Sequence, residues 1–327
     1  MLTEAELRRE AAATGFGTEV LEKVIRLLEL LDTLRMHPFL KPRIVLKGGT
    51  ALNLFVFDVP RLSVDIDLNY IGAANRETML ADRPKVEQAI QAVCGRLGIQ
   101  VKRAPSEHAG GKWRLSYTTI TRRPGTLELD MNFMLRTPLW PHAAADSGLV
   151  EPFAVTGIPI LDVHELAAGK LAALFGRSAS RDLFDVREIL RRGDLDRTKL
   201  RLGFVVYGGI NRRDWREVSL DDVQTNPDEV DRQLVPLLRG DMAPDRDHIQ
   251  IWTEQLVADC RDLLSAVLPF EPQEREFLNQ LNDRGDIAAE LLTKDAGLQS
   301  VIQAHPALLW KALNVKKHFG TSDQDKR

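Results

Sequence analysis

The 327-residue sequence holds only two cysteines, Cys94 and Cys260, far apart and in no ligand motif. That excludes a disulfide scaffold, and both read as free thiols of a reducing compartment. No apolar run reaches the roughly 20 residues that span a bilayer, and no signal peptide opens the chain. The expected location is therefore cytoplasmic. The seven histidines show no zinc spacing such as HExxH. Internal repeats and low-complexity tracts are absent. Net charge is only −3, so no global field draws the chain to nucleic acid, and any RNA contact has to use local basic patches. The remaining composition is that of an ordinary globular protein, and its length allows two domains.

Against that background one stretch stands out, residues 46–70, LKGGTALNLFVFDVPRLSVDIDLNY. Ile44, Val45 and Leu46 read as a short buried strand. Gly48 and Gly49 break it, Thr50 follows, and Ala51, Leu52, Leu54 and Phe55 suit a short helix. Glycines ahead of a helix let backbone N–H groups approach an anion, and a helix N-terminus favours phosphate. After the Val59-Pro60 turn, residues 63–68 alternate. Val64, Ile66 and Leu68 face one way; Ser63, Asp65 and Asp67 face the other. Two like charges at one edge are unfavourable unless a cation lies between them. Mg²⁺ takes carboxylate oxygens and keeps positions open for phosphates. The alternative is a Gly-rich turn beside a strand of solvated acids.

Gly-Gly-Thr, fourteen residues, then Asp65-Ile66-Asp67 resembles the first signature of the DNA polymerase β-like nucleotidyltransferase superfamily. The fuller phrase is similar to its AbiEii/AbiGii toxin branch, which includes the MenT toxins of mycobacteria. The resemblance implies an α+β fold, with a mixed sheet and flanking helices as the nucleotidyltransferase core and a mainly helical C-terminal lobe. The domains expected are 1–160 and 161–327, the second carrying the Lys170/Asp185 motif.

The rest of the chain supplies further parts. A helix is expected over 18–36, where Val20, Val24, Leu27, Leu28, Leu31 and Leu34 recur at helical spacing, and another over about 83–97. Residues 99–102, 113–120 and 126–134 read as strands. In the last, Glu128, Asp130 and Asn132 share a face. Asp130 matches the place of the superfamily's third carboxylate, with Glu128 as the competing choice and an exposed acid as the plain reading. Asp162 is expected to cap a helix to about residue 175. Lys170 lies in it among Ala167, Ala168, Gly169, Leu171, Ala172 and Ala173, where small neighbours would let a ligand approach and a lysine serves phosphate as a point charge. A snorkelling lysine is the alternative. The pattern Lys170…Arg177…Arg181-Asp182-x-x-Asp185 resembles the downstream toxin signature. By that match Lys170 contacts the triphosphate and Asp185 orients the lysine or acts near the incoming hydroxyl, while Asp182 reads as a helix N-terminal charge.

The resemblance implies catalytic Asp65, Asp67, Asp130, Lys170 and Asp185, with Mg²⁺ on the first three. Nucleotide would be held by Gly48, Gly49, Thr50, Ser63 and Lys170. It further implies transfer of NMP from an NTP to the 3′ end of tRNA, a block of translation, and a cognate antitoxin. Lys112, Arg122, Arg123, Lys316 and Lys317 are the basic residues available for RNA. A small-molecule transferase of the aminoglycoside-modifying type, or a protein nucleotidyltransferase, is the alternative enzyme. A phosphatase built on Asp-x-Asp is disfavoured by Leu68-Asn69. A degenerate binding domain is disfavoured by the intact acidic and lysine positions.

Overall fold

The N-terminal apolar periodicities become helices that cover one face of a sheet. In a computed structural model, which describes residues 3–104, 110–148 and 153–322, α1 spans Glu4–Thr14 and α2 spans Thr18–Met36. Thr3 and Glu6 form a capping box at the start of α1, satisfying two backbone N–H groups that the first turn leaves open. The chain then runs through β1 (Ile44–Lys47), α3 (Gly48–Ala51), a π-helical turn over Leu52–Val56, β2 (Asp65–Tyr70) and α4 (Arg76–Arg96). Next come β3 (Gln100–Arg103), β4 (Gly110–Thr118), β5 (Pro124–Asn132), β6 (Ala143–Ala145) and β7 (Ile158–Ile160). Helix α4 starts earlier than its sequence suggests and carries Pro84 inside. Proline is most at home in a first helical turn, so the stretch before it reads as loop.

The strands form one seven-stranded sheet in the order β3-β4-β5-β2-β1-β7-β6. It is mixed: β2 runs parallel to β5 and β1 parallel to β7, while the other pairs are antiparallel. Ile44, Leu46, Ile66, Leu68, Trp113, Leu115, Leu127, Leu129 and Met131 are buried, as are Leu21, Val24, Leu27, Leu28 and Leu31 of α2 and Val86, Ile90 and Val93 of α4. Alternation does the rest. Each strand that sends an apolar residue into this core sends its neighbours, including Asp65, Asp67, Glu128 and Asp130, to the opposite face.

The chain divides into two units. The first holds this sheet (1–136 and 141–162) together with 227–250. The second comprises 137–140, 163–226 and 251–327. It opens with α5 (Val163–Arg177), α6 (Ser180–Arg191) and α7 (Arg197–Ile210). After α8 (Pro227–Gln233), which belongs to the first unit, it continues with α9 (Ile249–Leu264), α10 (Pro272–Arg284), α11 (Ala296–Gln303) and α12 (Pro306–Ser322). Phe175, Phe204 and Trp215 pack ring to ring at its centre, with centroids 5.3 to 5.8 Å apart. A Cβ on Gly208 would enter the Trp215 indole, so glycine is what lets the ring close on α7. Each unit buries one thiol: burial pushes Cys94 up to about 11 and Cys260 up to about 12.

Candidate active site

Strand register builds a row of charges across the sheet. Lys47 of β1 lies opposite Asp67 of β2, Asp67 opposite Asp130 of β5, and Asp130 opposite Lys112 of β4. Directly opposed residues share a face, with Cα atoms about 5 Å apart. Two residues back along the strands, on that same face, a second row follows: Asp65, Glu128 and Arg114. The expected three carboxylates are thus brought together by three facts: Asp65 and Asp67 alternate on one strand, β5 is its neighbour, and the register sets Asp130 beside Asp67.

Glu128 and Asp130 both face this side, and their partners separate them. Lys112 Nζ lies 2.9 Å from Glu128 Oε2, and Arg114 Nε 3.8 Å from Glu128 Oε1. The Lys112 hydrogen bond holds Glu128 below the usual carboxylate range and raises Lys112 in return. Asp130 is different. Burial pushes its carboxyl above the usual range and Asp67 adds to the push, while Lys47 is the strongest opposing charge. Among the described residues, no side chain hydrogen-bonds or ion-pairs with the carboxyl of Asp65, Asp67 or Asp130.

The Gly-Gly-Thr turn is fitted to this row. Gly48 has φ 74°, and a Cβ there would collide with the Asp67 carboxylate. Thr50 is fully buried; its hydroxyl donates to the Asp65 carbonyl and lies 3.0 Å from Ser63 Oγ, which can donate to it. Thr50 and Ser63 therefore tie the turn to the base of β2. The strand itself begins at Asp65, two residues later than the alternation suggests.

The second cluster belongs to α5 and α6. Lys170 Nζ lies 2.8 Å from Asp182 Oδ1 and 2.7 Å from Asp185 Oδ2. Arg177 Nε reaches Asp182 Oδ2 at 2.6 Å. Asp182 lies in the first turn of α6, as expected of a helix N-terminal charge, and is fully buried there. Burial opposes its ionisation, but Lys170 and Arg177 win and hold it well below the usual range. Spacing i, i+3 placed both aspartates on one face; what lay opposite that face was not visible in it. The small residues beside Lys170 also find a structural use: Ala168 packs against Gly203 of α7 and Gly169 lies beside Tyr207.

Lys47 is the residue that sequence reasoning passed over. Its only sequence signal is its position directly before Gly48, at the end of an apolar strand. Of the basic residues expected for RNA, Lys112 is tied to Glu128, and Lys316 lies 3.0 Å from Asp286. Arg122 and Arg123 are exposed in the β4–β5 turn.

The residues fit a hard divalent cation in a particular way. No group of three or more His, Cys, Asp or Glu side chains is drawn together as a ready cage among the described residues. Asp65, Asp67 and Asp130 nevertheless offer unpartnered carboxylate oxygens, and Mg²⁺ commonly takes one or two carboxylates and completes its shell with water and substrate phosphates. That donor set suits a cation which shares its coordination with a triphosphate.

A mixed sheet with Asp-x-Asp on one strand, a third acid on its parallel neighbour and a Gly-Gly turn against the first is the core of a nucleotidyltransferase. The sequence pattern of one such family, the nucleotidyl transferase AbiEii toxin of type IV toxin–antitoxin systems, matches residues 29–281. The chain belongs to this family of toxin nucleotidyltransferases. Among solved structures it is similar to MenT4, a nucleotidyltransferase toxin from Mycobacterium tuberculosis H37Rv, with a TM-score of 0.58 and 18% identity. That likeness of fold covers 94% of this chain and 99% of MenT4. No curated protein matches the sequence. Among the described residues, no helix is long and apolar enough to cross a membrane.

Proposed function

We propose that this toxin transfers a nucleoside monophosphate from an NTP to the 3′ end of tRNA, in the cytoplasm, and so blocks translation until its antitoxin counteracts it. The observation that carries the chemical half is the row of three carboxylates, without protein partners among the described residues, beside the Gly48 turn. The acceptor half rests on family membership.

In this reading Asp65, Asp67 and Asp130 would hold Mg²⁺, which would supply charge neutralisation at the phosphates. The acceptor hydroxyl forms a bond to the α-phosphorus. The bond from that phosphorus to the β-bridging oxygen breaks, and pyrophosphate leaves. Asp130 takes the hydroxyl proton. The backbone of Gly48 and Gly49 approaches the triphosphate, while Thr50 and Ser63 keep that turn in place. Within the second unit, Asp182 and Asp185 fix the Lys170 ammonium. Positioning and charge carry most of such a reaction.

Total tRNA is incubated with each labelled NTP, with and without EDTA, using wild type and Asp67→Asn. Labelled tRNA one or more nucleotides longer, formed by wild type alone and abolished by EDTA, is the expected result. Label in a small molecule or a protein, with none in tRNA for any NTP, would replace tRNA by that acceptor.

A further inference from the structure

Lys47 is half-buried, faces Asp67 across β1 and β2, and makes no hydrogen bond or ion pair among the described residues. An ammonium so placed, facing carboxylates without a hydrogen bond to them, is available to an anionic ligand. Nor do the carboxyls it faces have a hydrogen-bond or ion-pair partner among the described residues. The contrast is Lys170, which is fully engaged by Asp182 and Asp185.

The charge pattern of the face is equally specific. Its two rows contain four carboxylates, from Asp65, Asp67, Glu128 and Asp130, and three cations, from Lys47, Lys112 and Arg114. One net negative charge is a weak attraction for a bare divalent ion. Two of the cations lie at Glu128; Lys47 alone lies at the Asp67 end. A triphosphate changes this balance. It adds three to four negative charges, which suit both an ammonium and a metal ion.

We propose that Lys47 is a triphosphate-binding cation that couples metal uptake to nucleotide uptake, so that the divalent ion enters the carboxylate row together with the NTP. This rests on the nucleotidyltransferase reading and deepens it. Before nucleotide arrives, Lys47 repels a cation from Asp67 and Asp130. Once nucleotide is present, the ammonium turns to the phosphates and that repulsion is relieved. Gly48, the next residue, allows the change, because its missing side chain leaves the Asp67 carboxylate uncrowded.

The probe is Mn²⁺, titrated into the full-length protein and followed by the electron paramagnetic resonance of the free ion. Titrations are run with and without the α,β-methylene analogue of each ribonucleoside triphosphate, on wild type, Lys47→Met and Lys47→Arg. In wild type the preferred analogue should tighten Mn²⁺ binding by roughly tenfold or more beyond the Mn²⁺ that the analogue takes up without protein, because the ligands carry opposite charges at close range. Lys47→Met should bind Mn²⁺ alone several-fold more tightly than wild type and the analogue more weakly; Lys47→Arg should stay near wild type in both. Misfolding would weaken both affinities, so opposite shifts separate a site role from a structural one. Equal Mn²⁺ affinity in wild type with and without a bound analogue would overturn the coupling, and so would an unchanged Lys47→Met. If no analogue binds in the presence of Mn²⁺, the nucleotidyltransferase reading fails as well.

Discussion

Asparagine at position 67 keeps the shape of the carboxylate and removes its charge. Asp67 has no protein partner among the described residues and faces another acid, Asp130. Asp67→Asn is therefore expected to fold as wild type does, by circular dichroism and melting, while transfer falls by on the order of a hundredfold or more. A variant that melts normally and keeps full activity would remove Asp67 from the site. Asp182→Asn should do the reverse in the test tube, because it leaves the buried Lys170 with one carboxylate fewer. Breaking such a network costs about 3 kcal/mol or more. The carboxyl is held below its ordinary 3.8, so its contribution is complete above that pH and is lost as pH falls through the depressed value. Urea titrations should show a constant gap between variant and wild type from neutrality down to that point, narrowing below it. The two aspartates also mark what a sequence discloses. Asp67 was legible because alternation fixes which way a strand residue points. The pairing of Asp182 was not, because it depends on Lys170 and Arg177 converging on it from another helix.

Among the elements, the junction of β1 and α3 is the most constrained. Gly48 combines a left-handed φ of 74° with contact to the Asp67 carboxylate. Gly48→Ala should cost about 1 to 2 kcal/mol for the backbone and move the carboxylate. A displacement of about 1 Å near reacting groups lowers rate on the order of a hundredfold, so activity should fall further than stability. Gly95→Ala in α4 is the control, since nothing lies within 4 Å of its added Cβ. It should leave transfer unchanged and raise stability by up to about 1 kcal/mol, as read by melting temperature. A Gly48→Ala enzyme as active as this control would dissociate the turn from the chemistry. The longer helices and the strands β1 to β5 could be read from apolar spacing, while α1, β6 and β7 could not. Nor could the pairing, and it is pairing that sets Lys47 beside Asp67.

At the scale of the molecule, the route of the chain matters most. Residues 227–250 return to the first unit, where Leu62 N–H donates to the Leu237 carbonyl at 2.7 Å and Arg239 N–H to the Pro60 carbonyl at 3.0 Å. Leu234 and Leu238 are buried there. This stretch is short in periodic signal, which is why spacing does not reveal its destination. A fragment ending at residue 162 therefore lacks part of its own core beside the approach to β2. It should melt below the full chain, or without a cooperative transition, and be cleaved early by protease near Pro60. A fragment as stable and protease-resistant as the full chain would show that the returning segment adds nothing.

The two sealed cysteines carry one more consequence. Cys94 lies in the first unit and Cys260 in the second, and both are inaccessible, with their thiols shifted far from the reactive thiolate form. Each unit thus contains its own chemical clock for opening. Timed alkylation under mild denaturant, read by peptide mass, would date the loosening of either unit separately in an unlabelled native chain.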